Sequence, residues 1–293
     1  MPRNPAFFKS KYNIDICVRH EVLRVDPKNK RIVIKNYTTN EVFTDTYDKL
    51  LFATGATVTL PPIKGIISKN VFSLRTIGDM IQIKEYIRKM QVKSAIIIGS
   101  GFVGLEVCEN LVKIGTKVTL IEKLPQVTPG LDEDMAIYVE EHLKANGITV
   151  VTGATIAQIE DGVIFEDGRK LAADLVILSV GVRPNTELAT RVGVELGITR
   201  AIKVNEKMMT NIEDIYACGD CSEQFHVVTG KAVYRPMGST ANKTGRIAGD
   251  VITGGNLSFR GILGTGIFKI FDKTVAQTGL SEREARREGY DFR

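Results

Sequence analysis

Residues 94–123 narrow the fold of this chain more than any other stretch, because they read as a strand, a glycine-rich turn, a helix and a second strand. The turn consists of Gly99, Ser100, Gly101, Phe102, Val103 and Gly104, which match the pattern G-x-G-x-x-G. In this pattern the first glycine permits a tight turn, the second lets a pyrophosphate approach the backbone, and the third lets the helix pack on the strand. The stretch therefore predicts a βαβ unit that binds a dinucleotide at the start of its helix.

A carboxylate, Glu122, supports this interpretation and indicates which dinucleotide is bound. It ends the second strand, eighteen positions after Gly104, where a carboxylate accepts hydrogen bonds from the ribose hydroxyls of the adenosine half. The same group would repel a 2'-phosphate, so the sequence favours NADH over NADPH. Lys123 follows directly and could offset part of that repulsion, which leaves NADPH as an alternative.

Residues 14–56 predict an antiparallel meander that leads into a buried strand. The strand signals lie at 14–26, 31–37 and 48–56. The first two segments alternate apolar and polar residues, and the third is a continuous apolar run that enters Thr-Gly. Together with the βαβ unit, this pattern predicts an α/β fold.

A helix is expected near residues 77–90, before the βαβ unit. Thr76 and Asp79 are placed as a capping box at its start. The apolar residues at helical spacing, which we expect to face the core, are Met80, Ile83, Ile87 and Met90. Further along, an Asp-Gly pair at 167 and 168 predicts a hairpin.

Composition and charge exclude several classes of protein. The chain has 293 residues, of which 43% are hydrophobic and 25% charged, as is typical of a globular protein with room for two domains. Its apolar runs are far shorter than the ~18 residues of a membrane helix, and its first residues lack the apolar core of a secretory signal. Four scattered cysteines do not form a disulfide scaffold, so a reducing cytoplasm is expected. The 39 basic and 34 acidic residues form no basic stripe for nucleic acid.

Four motifs, in their order and separations, resemble those of a known family. They are LLFATGA at 50–56, GSGFVGLE at 99–106, GVRPN at 181–185 and TNIEDIYACGDC at 210–221. From about Phe7 to Phe292 the chain resembles the pyridine nucleotide-disulfide oxidoreductases. The segments most similar to the branch of coenzyme A-disulfide reductases, NADH oxidases and NADH peroxidases are 72–80, 241–252 and 259–272.

The resemblance implies a flavoenzyme with two Rossmann-like dinucleotide-binding domains and an α+β interface domain. It implies, in chain order, part of an FAD-binding domain, an inserted NAD(P)H-binding domain, the second part of the FAD-binding domain and the start of the interface domain. The corresponding boundaries are 1–75, 76–187, 188–257 and 258–293. Members of the family pass a hydride from the nicotinamide to the flavin and then to a disulfide, a peroxide or oxygen, and the full-length form would be a homodimer.

Cofactor contacts outside the βαβ unit are implied by the same resemblance. Ala53, Thr54 and Gly55 would contact the adenosine half of FAD. Asp220, preceded by Gly219 in the same motif, would bind the ribityl chain through its carboxylate.

Two further pairs of residues keep a structural alternative beside the functional one. Gly181 and Val182 would contact the nucleotide, or their segment shapes the junction where the chain leaves the NAD(P)H-binding domain. Lys11 and Asn242 match positions that hold the substrate in coenzyme A-disulfide reductases, or they are an ordinary surface lysine and an asparagine at a helix start.

The cysteines offer no independent catalytic site. Cys218 and Cys221 have C-x-x-C spacing but lie within the Asp220 motif, not at a helix start that would lower a thiol pKa. Packing is therefore favoured over a redox pair. Cys17, placed in an alternating strand, and Cys108, placed in a helix, are both expected in the core.

The histidines show no metal-binding pattern. His20, His142 and His226 lie in strand, helix and loop contexts without metal-ligand spacing. We expect structural or solvated roles for them and no metal site.

Members of this family begin with a βαβ unit that carries its own glycine motif for FAD, followed by a helix with the redox cysteine. This sequence starts in the meander and stops where the helix of the interface domain should continue, so it looks truncated at both ends. The redox cysteine is expected upstream of Met1. Weak FAD binding and impaired activity follow as expectations for these 293 residues. Two other functions stay open, namely a non-catalytic NADH-binding fragment and a ferredoxin- or rubredoxin-type reductase, which needs no redox cysteine.

Overall fold

The computed structural model describes residues 4–291. Met1, upstream of which a redox cysteine is expected, and Phe292, where the family resemblance ends, lie outside the described residues. The helices are α1 Pro5–Tyr12, α2 Ile77–Met90, α3 Phe102–Lys113, α4 Glu133–Ala145, α5 Glu187–Thr190, α6 Gly238–Ile252 and α7 Glu282–Arg287.

The strands up to the end of the βαβ unit are β1 His20–Asp26, β2 Arg31–Asn36, β3 Val42–Thr46, β4 Leu50–Phe52, β5 Ala56–Val58, β6 Val71–Ser73, β7 Ser94–Ile98 and β8 Lys117–Ile121. Those that follow are β9 Thr149–Val151, β10 Ile156–Ile159, β11 Gly162–Phe165, β12 Lys170–Ala172, β13 Leu175–Leu178, β14 Val182–Pro184, β15 Ile215–Ala217, β16 Gln224–Phe225, β17 Ala232–Val233, β18 Gly266–Ile270 and β19 Lys273–Gln277.

The chain divides into two compact units that are discontinuous in sequence. Unit 1 consists of Met1–Gly55, Pro184–Phe225 and Ala232–Gly261. Unit 2 consists of Ala56–Arg183, His226–Lys231 and Ile262–Arg293.

Unit 2 is built on a five-stranded sheet with the order β6-β13-β7-β8-β9, whose recorded strand pairs are all parallel. Strands β7 and β13 consist largely of buried apolar residues, as is typical of parallel strands covered on both faces. The carboxyl ends of three strands lie side by side, because Ile98 pairs with both Ile121 and Leu178. The predicted α/β class is confirmed.

Helix α2 begins as the sequence predicts. The Thr76 hydroxyl accepts a hydrogen bond from the Asp79 N–H, and the Asp79 carboxylate accepts one from the Thr76 N–H, so the capping box is complete. The apolar stripe is confirmed only at its centre. Ile83 and Ile87 join the core, whereas Met80 and Met90 are 43% and 55% exposed, because the 14-residue helix packs on the three-residue strand β6 and its ends extend beyond it.

The hairpin of β18 and β19 contributes to the core of unit 2. Its strands pair antiparallel from Gly266 opposite Gln277 to Ile270 opposite Lys273. The ring of Phe268 lies 4.7 Å from that of Phe102, centroid to centroid. This hairpin therefore packs on the first residue of α3, the helix that follows the glycine turn. The β18–β19 hairpin was not predicted from sequence, whereas the hairpin predicted at Asp-Gly 167 and 168 is confirmed between β11 and β12.

Unit 1 contains the predicted meander, but its third strand differs from the expected one. Strands β1, β2 and β3 form an antiparallel sheet, so the third strand is Val42–Thr46. The predicted apolar strand that enters Thr-Gly, at 48–56, is confirmed but is shorter than expected. Within it β4 spans three residues and pairs in parallel with β15, with Leu50 opposite Ile215.

The first predicted strand, 14–26, is wrong over residues 14–19. Val18 and Arg19 form a turn, with Arg19 in the left-handed region at φ 57°, and β1 begins only at His20. Residues 14–18 show the same apolar alternation as β1, but the turn separates them from that strand. Ile14, Ile16 and Val18 are exposed.

Asp174, which precedes β13, ties that strand to β7 at its amino end. Its Oδ2 accepts hydrogen bonds from the N–H groups of Lys93 (2.9 Å) and Ser94 (2.8 Å) and from the Ser94 hydroxyl (2.9 Å). These bonds, the one from Lys93 foremost, hold the pKa of Asp174 below its ordinary value of 3.8. The stabilisation is therefore present above that ordinary value and is lost as the pH falls through the native pKa.

We predict that Asp174→Asn lowers the free energy of unfolding by about 1 kcal/mol near pH 7 and makes stability less sensitive to acid, because the charge that accepts these bonds is removed. Urea unfolding between pH 3 and 7 measures both effects. Glu206→Gln, at an exposed carboxylate, is the control. Equal acid sensitivity in wild type and Asp174→Asn would contradict the prediction.

Candidate functional site

The glycine turn lies at the carboxyl end of β7 and leads into α3, where each glycine meets a different requirement. A Cβ at Gly99 would lie 2.3 Å from the backbone oxygen of Ser179, and Gly99 itself has φ 101°. A Cβ at Gly104 would lie 2.2 Å from the backbone oxygen of Gly99. Gly101 has no atom within 4 Å of such a Cβ. Gly99 and Gly104 are thus required by the fold, whereas Gly101 faces open space.

The start of α3 is open to an anion. Gly101 is its N-cap and offers no side-chain hydrogen bond. The Gly101 carbonyl accepts a helical hydrogen bond from the Leu105 N–H, at 3.1 Å. Unpaired N–H groups at a helix start, together with the helix dipole, favour phosphate.

A cavity of about 650 Å³ adjoins this turn in unit 2. It is lined by segments that follow β7, β8, β9 and β13, and by residues before β6. The lining segments include Gly99–Gly101, Glu122–Leu124, Ala154–Ile156 and Ser179–Gly181. A crevice at the carboxyl ends of parallel strands is where open α/β sheets bind their ligands.

Glu122 lies in this cavity and is held on both of its carboxylate oxygens. It is 8% exposed. Its Oε2 accepts hydrogen bonds from the Ser100 N–H at 3.0 Å and the Ser100 hydroxyl at 2.6 Å. Its Oε1 accepts one from the Leu124 N–H at 2.9 Å. The adjacent Lys123 is exposed and lines the same cavity.

Sequence reasoning missed the hydrogen bond between Ser100, which lines the cavity, and Thr128, which lies behind that lining. The Thr128 N–H donates to the Ser100 hydroxyl oxygen at 3.1 Å, so Ser100 links Glu122 to the loop after β8. Ser100 was predicted as one of the cofactor-binding residues of the turn, without its bond to Glu122. No sequence signal marks Thr128, because its contact depends on the path of the loop.

Among the other sequence-predicted residues of the NAD(P)H region, Gly181 lines the cavity and Val182 begins β14. Gly181 has φ 95° and accepts a hydrogen bond from the Thr59 N–H at 3.0 Å. Phe102 and Val103 open α3, where Phe102 packs on Phe268 and Val103 is 45% exposed.

The residues assigned to FAD lie in unit 1, at the ends of its two parallel strands. Ala53, Thr54 and Gly55 follow β4. The Thr54 hydroxyl donates to the Asn185 carbonyl at 2.6 Å, and the Asn185 side-chain amide donates to the Thr54 carbonyl at 2.8 Å. Asn185, noted in sequence only as part of GVRPN, therefore fixes the predicted Thr-Gly segment.

Gly219 and Asp220 follow the neighbouring strand, β15, in a single 3₁₀ turn. The Gly219 N–H donates to the Thr244 hydroxyl at 3.0 Å, and the Tyr234 hydroxyl donates to the Asp220 carbonyl at 2.9 Å. Thr244 and Tyr234 were not recognised from the sequence. Because β4 and β15 are parallel neighbours, the two motifs assigned to FAD emerge at the same edge of that sheet.

The two candidate substrate contacts lie on different helices of unit 1. Lys11 belongs to α1, with its ammonium 5.6 Å and 5.3 Å from the ring centroids of Phe7 and Tyr12. Asn242 is exposed in the first half of α6. No recorded contact joins them to each other.

The paired cysteines have the environment of packing thiols. Cys218 and Cys221 are 6% and 0% exposed and are not joined in a disulfide. The Cys221 thiol donates to the carbonyls of Cys218 at 3.2 Å and Phe52 at 3.4 Å. Burial, with a smaller effect of Cys221, raises the pKa of Cys218 to about 11, which opposes thiolate formation.

The other two cysteines differ from each other. Cys108 is fully buried as predicted, and burial raises its pKa to about 12. The expectation that Cys17 lies in the core is wrong, because it precedes β1 and is exposed.

We predict that in the full-length protein Cys218→Ala/Cys221→Ala keeps NADH-dependent turnover within about tenfold of wild type, a barrier change of at most ~1.4 kcal/mol. In native wild type, iodoacetamide should label Cys17 and reach the three buried thiols only on unfolding. Loss of several orders of magnitude in turnover with flavin still bound would contradict the prediction.

The histidines hold different structural positions. His20 begins β1 and packs edge-on against Phe43. The His142 ring nitrogen Nε2 lies 3.2 Å from the Ile270 carbonyl and 3.0 Å from Asp272, while His226 is 1% exposed. Within residues 4–291, no group of three or more histidine, cysteine, aspartate or glutamate side chains is placed so that it could bind a metal ion.

Comparison with known proteins assigns these features to a family. The family model described as pyridine nucleotide-disulphide oxidoreductase matches residues 4–240. The chain belongs to this family. The resemblance inferred from its four motifs is therefore confirmed.

Members of the pyridine nucleotide-disulphide oxidoreductase family with similar sequences are longer than this chain. The NAD(P)H sulfur oxidoreductase (CoA-dependent) of Pyrococcus abyssi is 38% identical over 294 residues, covering 99% of this chain and 65% of that protein. The NADH oxidase of Methanocaldococcus jannaschii is 39% identical over 282 residues, covering 94% and 62%. The chain thus spans less than two thirds of these relatives.

A solved structure gives the same picture of this oxidoreductase family fold. The crystal structure of reduced CoADR-RHD of Bacillus anthracis matches with a TM-score of 0.96 and 38% identity, covering 99% of this chain and 53% of that one. This match agrees with the prediction of two Rossmann-like regions. In the part of the chain that the structure describes, no helix has both the length and the apolar character to span a bilayer.

Proposed function

We propose that this chain is part of an FAD- and NAD(P)H-dependent oxidoreductase that passes a hydride from the nicotinamide to the flavin and on to a small-molecule acceptor. The observation that carries the proposal is the glycine turn at the carboxyl end of β7, with open space at Gly101 and no side chain capping α3. Such a turn accommodates a diphosphate. The family membership supports the hydride-transfer chemistry.

In this function the chain's own residues bind and orient the nucleotide. The N–H groups at the start of α3 hold the pyrophosphate, and Gly101 lets it approach the backbone. Glu122 accepts a hydrogen bond from an adenosine ribose hydroxyl at the position on Oε1 that Leu124 leaves open, and it disfavours a 2'-phosphate, so NADH is preferred over NADPH. Gly181 and Val182 border the same nucleotide.

The residues at the ends of β4 and β15 are suited to FAD. The backbone of Ala53, Thr54 and Gly55 is fixed by Asn185 and has room at Gly55, where a Cβ would meet no atom within 4 Å. Asp220, with Gly219, would take hydrogen bonds from the hydroxyls of the ribityl chain. When bound, the flavin accepts the hydride and supplies the electrons for the acceptor.

The acceptor, the domain arrangement and the assembly are finer parts of the proposal. A disulfide resembling coenzyme A disulfide, a peroxide or oxygen would be reduced, with Lys11 and Asn242 as candidate substrate contacts. The FAD-binding, NAD(P)H-binding and interface domains would follow the boundaries given above. The protein would act in the cytoplasm as a homodimer.

The first experiment is a titration of the purified chain with NADH, followed by calorimetry, together with the visible spectrum of the protein after incubation with FAD. We expect saturable NADH binding, and NADH should bleach whatever flavin is held. Folded protein that binds no NADH at millimolar concentration would contradict the proposal. NADH binding without reduction of bound flavin would favour a non-catalytic nucleotide-binding function.

A further inference from the structure

The hydroxyl of Ser100 is the centre of a hydrogen-bond relay in the nucleotide cavity. Ser100 is 0% exposed. Its hydroxyl donates to Glu122 Oε2 at 2.6 Å and accepts from the Thr128 N–H at 3.1 Å. The short distance to the carboxylate is typical of a charge-assisted bond. The direction of donation is the same along the relay, so each bond strengthens the next.

The carboxylate of Glu122 has little remaining capacity for other donors. A carboxylate offers about four acceptor positions. Two on Oε2 are used by Ser100, and one on Oε1 is used by Leu124. Glu122 is thereby fixed in one orientation and cannot rotate away from a group that approaches it unless the bonds from Ser100 break.

The same relay sets the position of the loop after β8. Thr128 is 4% exposed and has φ 46°, so its N–H is buried and needs an acceptor. Ser100 supplies that acceptor. The loop from Leu124 to Leu131 is thus attached to the glycine turn at Thr128, and Lys123 lies at its start.

We propose that Ser100 is a positioning residue for nucleotide selection. Through its hydroxyl it holds Glu122 and the loop at 124–131 in one arrangement, and this arrangement keeps the carboxylate where a 2'-phosphate would lie. The inference rests on the proposed NADH-binding function and adds to it the residue that makes Glu122 selective.

The test compares dissociation constants for NADH and NADPH, measured by calorimetry. In Ser100→Ala the 2.6 Å hydroxyl bond is lost while the N–H bonds from Ser100 and Leu124 remain, so the carboxylate is held less tightly and the preference for NADH should fall at least fivefold. Thr128→Ala is the matched control. It keeps the N–H that Ser100 accepts and removes a hydroxyl that is buried without a hydrogen-bond partner, so its preference should stay within twofold of wild type.

A double-mutant cycle shows whether Ser100 acts through Glu122. In the Glu122→Gln background, Ser100→Ala should change the preference less than twofold, since no fixed charge is left to position. An equal change in both backgrounds would overturn the inference. So would a folded Ser100→Ala variant whose preference stays within twofold of wild type.

Hydrogen exchange on the wild type decides the matter if Ser100→Ala does not fold. The Thr128 amide, which donates to the Ser100 hydroxyl, should already be protected from exchange in the protein without nucleotide, and fast exchange there would overturn the inference. If the wild type prefers NADH but the variants do not behave as expected, the inference about Ser100 is wrong and the proposed function still holds. Wild type that binds neither nucleotide removes both.

Discussion

Replacing Gly101 with alanine is expected to lower the affinity for NADH by tenfold or more while the protein stays folded. In the structure a Cβ at this position meets nothing within 4 Å, and its backbone angles of φ −71° and ψ 174° suit any residue. Stability should therefore match wild type or exceed it by up to about 1 kcal/mol. A methyl group would, however, occupy the space through which the pyrophosphate reaches the backbone.

Gly99→Ala is the matched variant and should fail in the opposite way. Its Cβ would lie 2.3 Å from the Ser179 oxygen at a φ of 101°, so we expect a loss of at least about 3 kcal/mol in the free energy of unfolding. Thermal unfolding and NADH titration on both variants separate the effects. If Gly101→Ala binds NADH as tightly as wild type, the pyrophosphate does not approach this turn.

The glycine turn could be predicted from sequence because, apart from the close approach of Gly99 to Ser179, its requirements are local. The positive φ of Gly99 and the close approach of Gly104 to Gly99 arise within a few residues, so the same letters at the same spacing lead to the same backbone. The position of Glu122 could also be predicted, because it depends only on the lengths of the helix and the strand that follow the turn. These features define the βαβ unit by themselves.

The contacts that complete the site could not be predicted, because they join distant segments through side chains. Ser100 reaches Thr128 only because the loop after β8 returns to the turn. Asn185 reaches Thr54 across 131 positions. Neither pair shows a periodic pattern, and each depends on how the sheet is ordered.

Apolar pattern alone also misplaced elements at strand ends. Cys17 follows an alternating pattern, yet the turn at Arg19 leaves it outside the sheet. The run at 48–56 is apolar because β4 is buried beside β15, not because it continues the meander. Neither pattern shows where turns interrupt the chain, and those turns decide which residues pair in a sheet and become buried.

Glu122→Arg is expected to reverse or flatten the preference for NADH. Under the proposed function an added 2'-phosphate would meet the carboxylate in the wild type, and such a like-charge contact would cost ~1 to 3 kcal/mol, or roughly ten- to a hundredfold in affinity. Arginine removes this repulsion and can pair with the phosphate through two hydrogen bonds, and Lys123 adds a second positive charge beside it. Arginine cannot accept the bonds that Ser100 and Leu124 donate to Glu122, so some affinity for NADH should be lost as well.

Titration of both nucleotides against wild type and variant, at two salt concentrations, tests the substitution. The gain for NADPH should shrink at high salt, because ion pairing with an exposed phosphate is screened. Lys123→Ala is the control: it should weaken NADPH binding and leave NADH binding nearly unchanged, since only the phosphate needs a cation there. Wild type that already binds NADPH as tightly as NADH, or an arginine variant with an unmoved ratio, would mean that selection at the 2' position does not depend on Glu122.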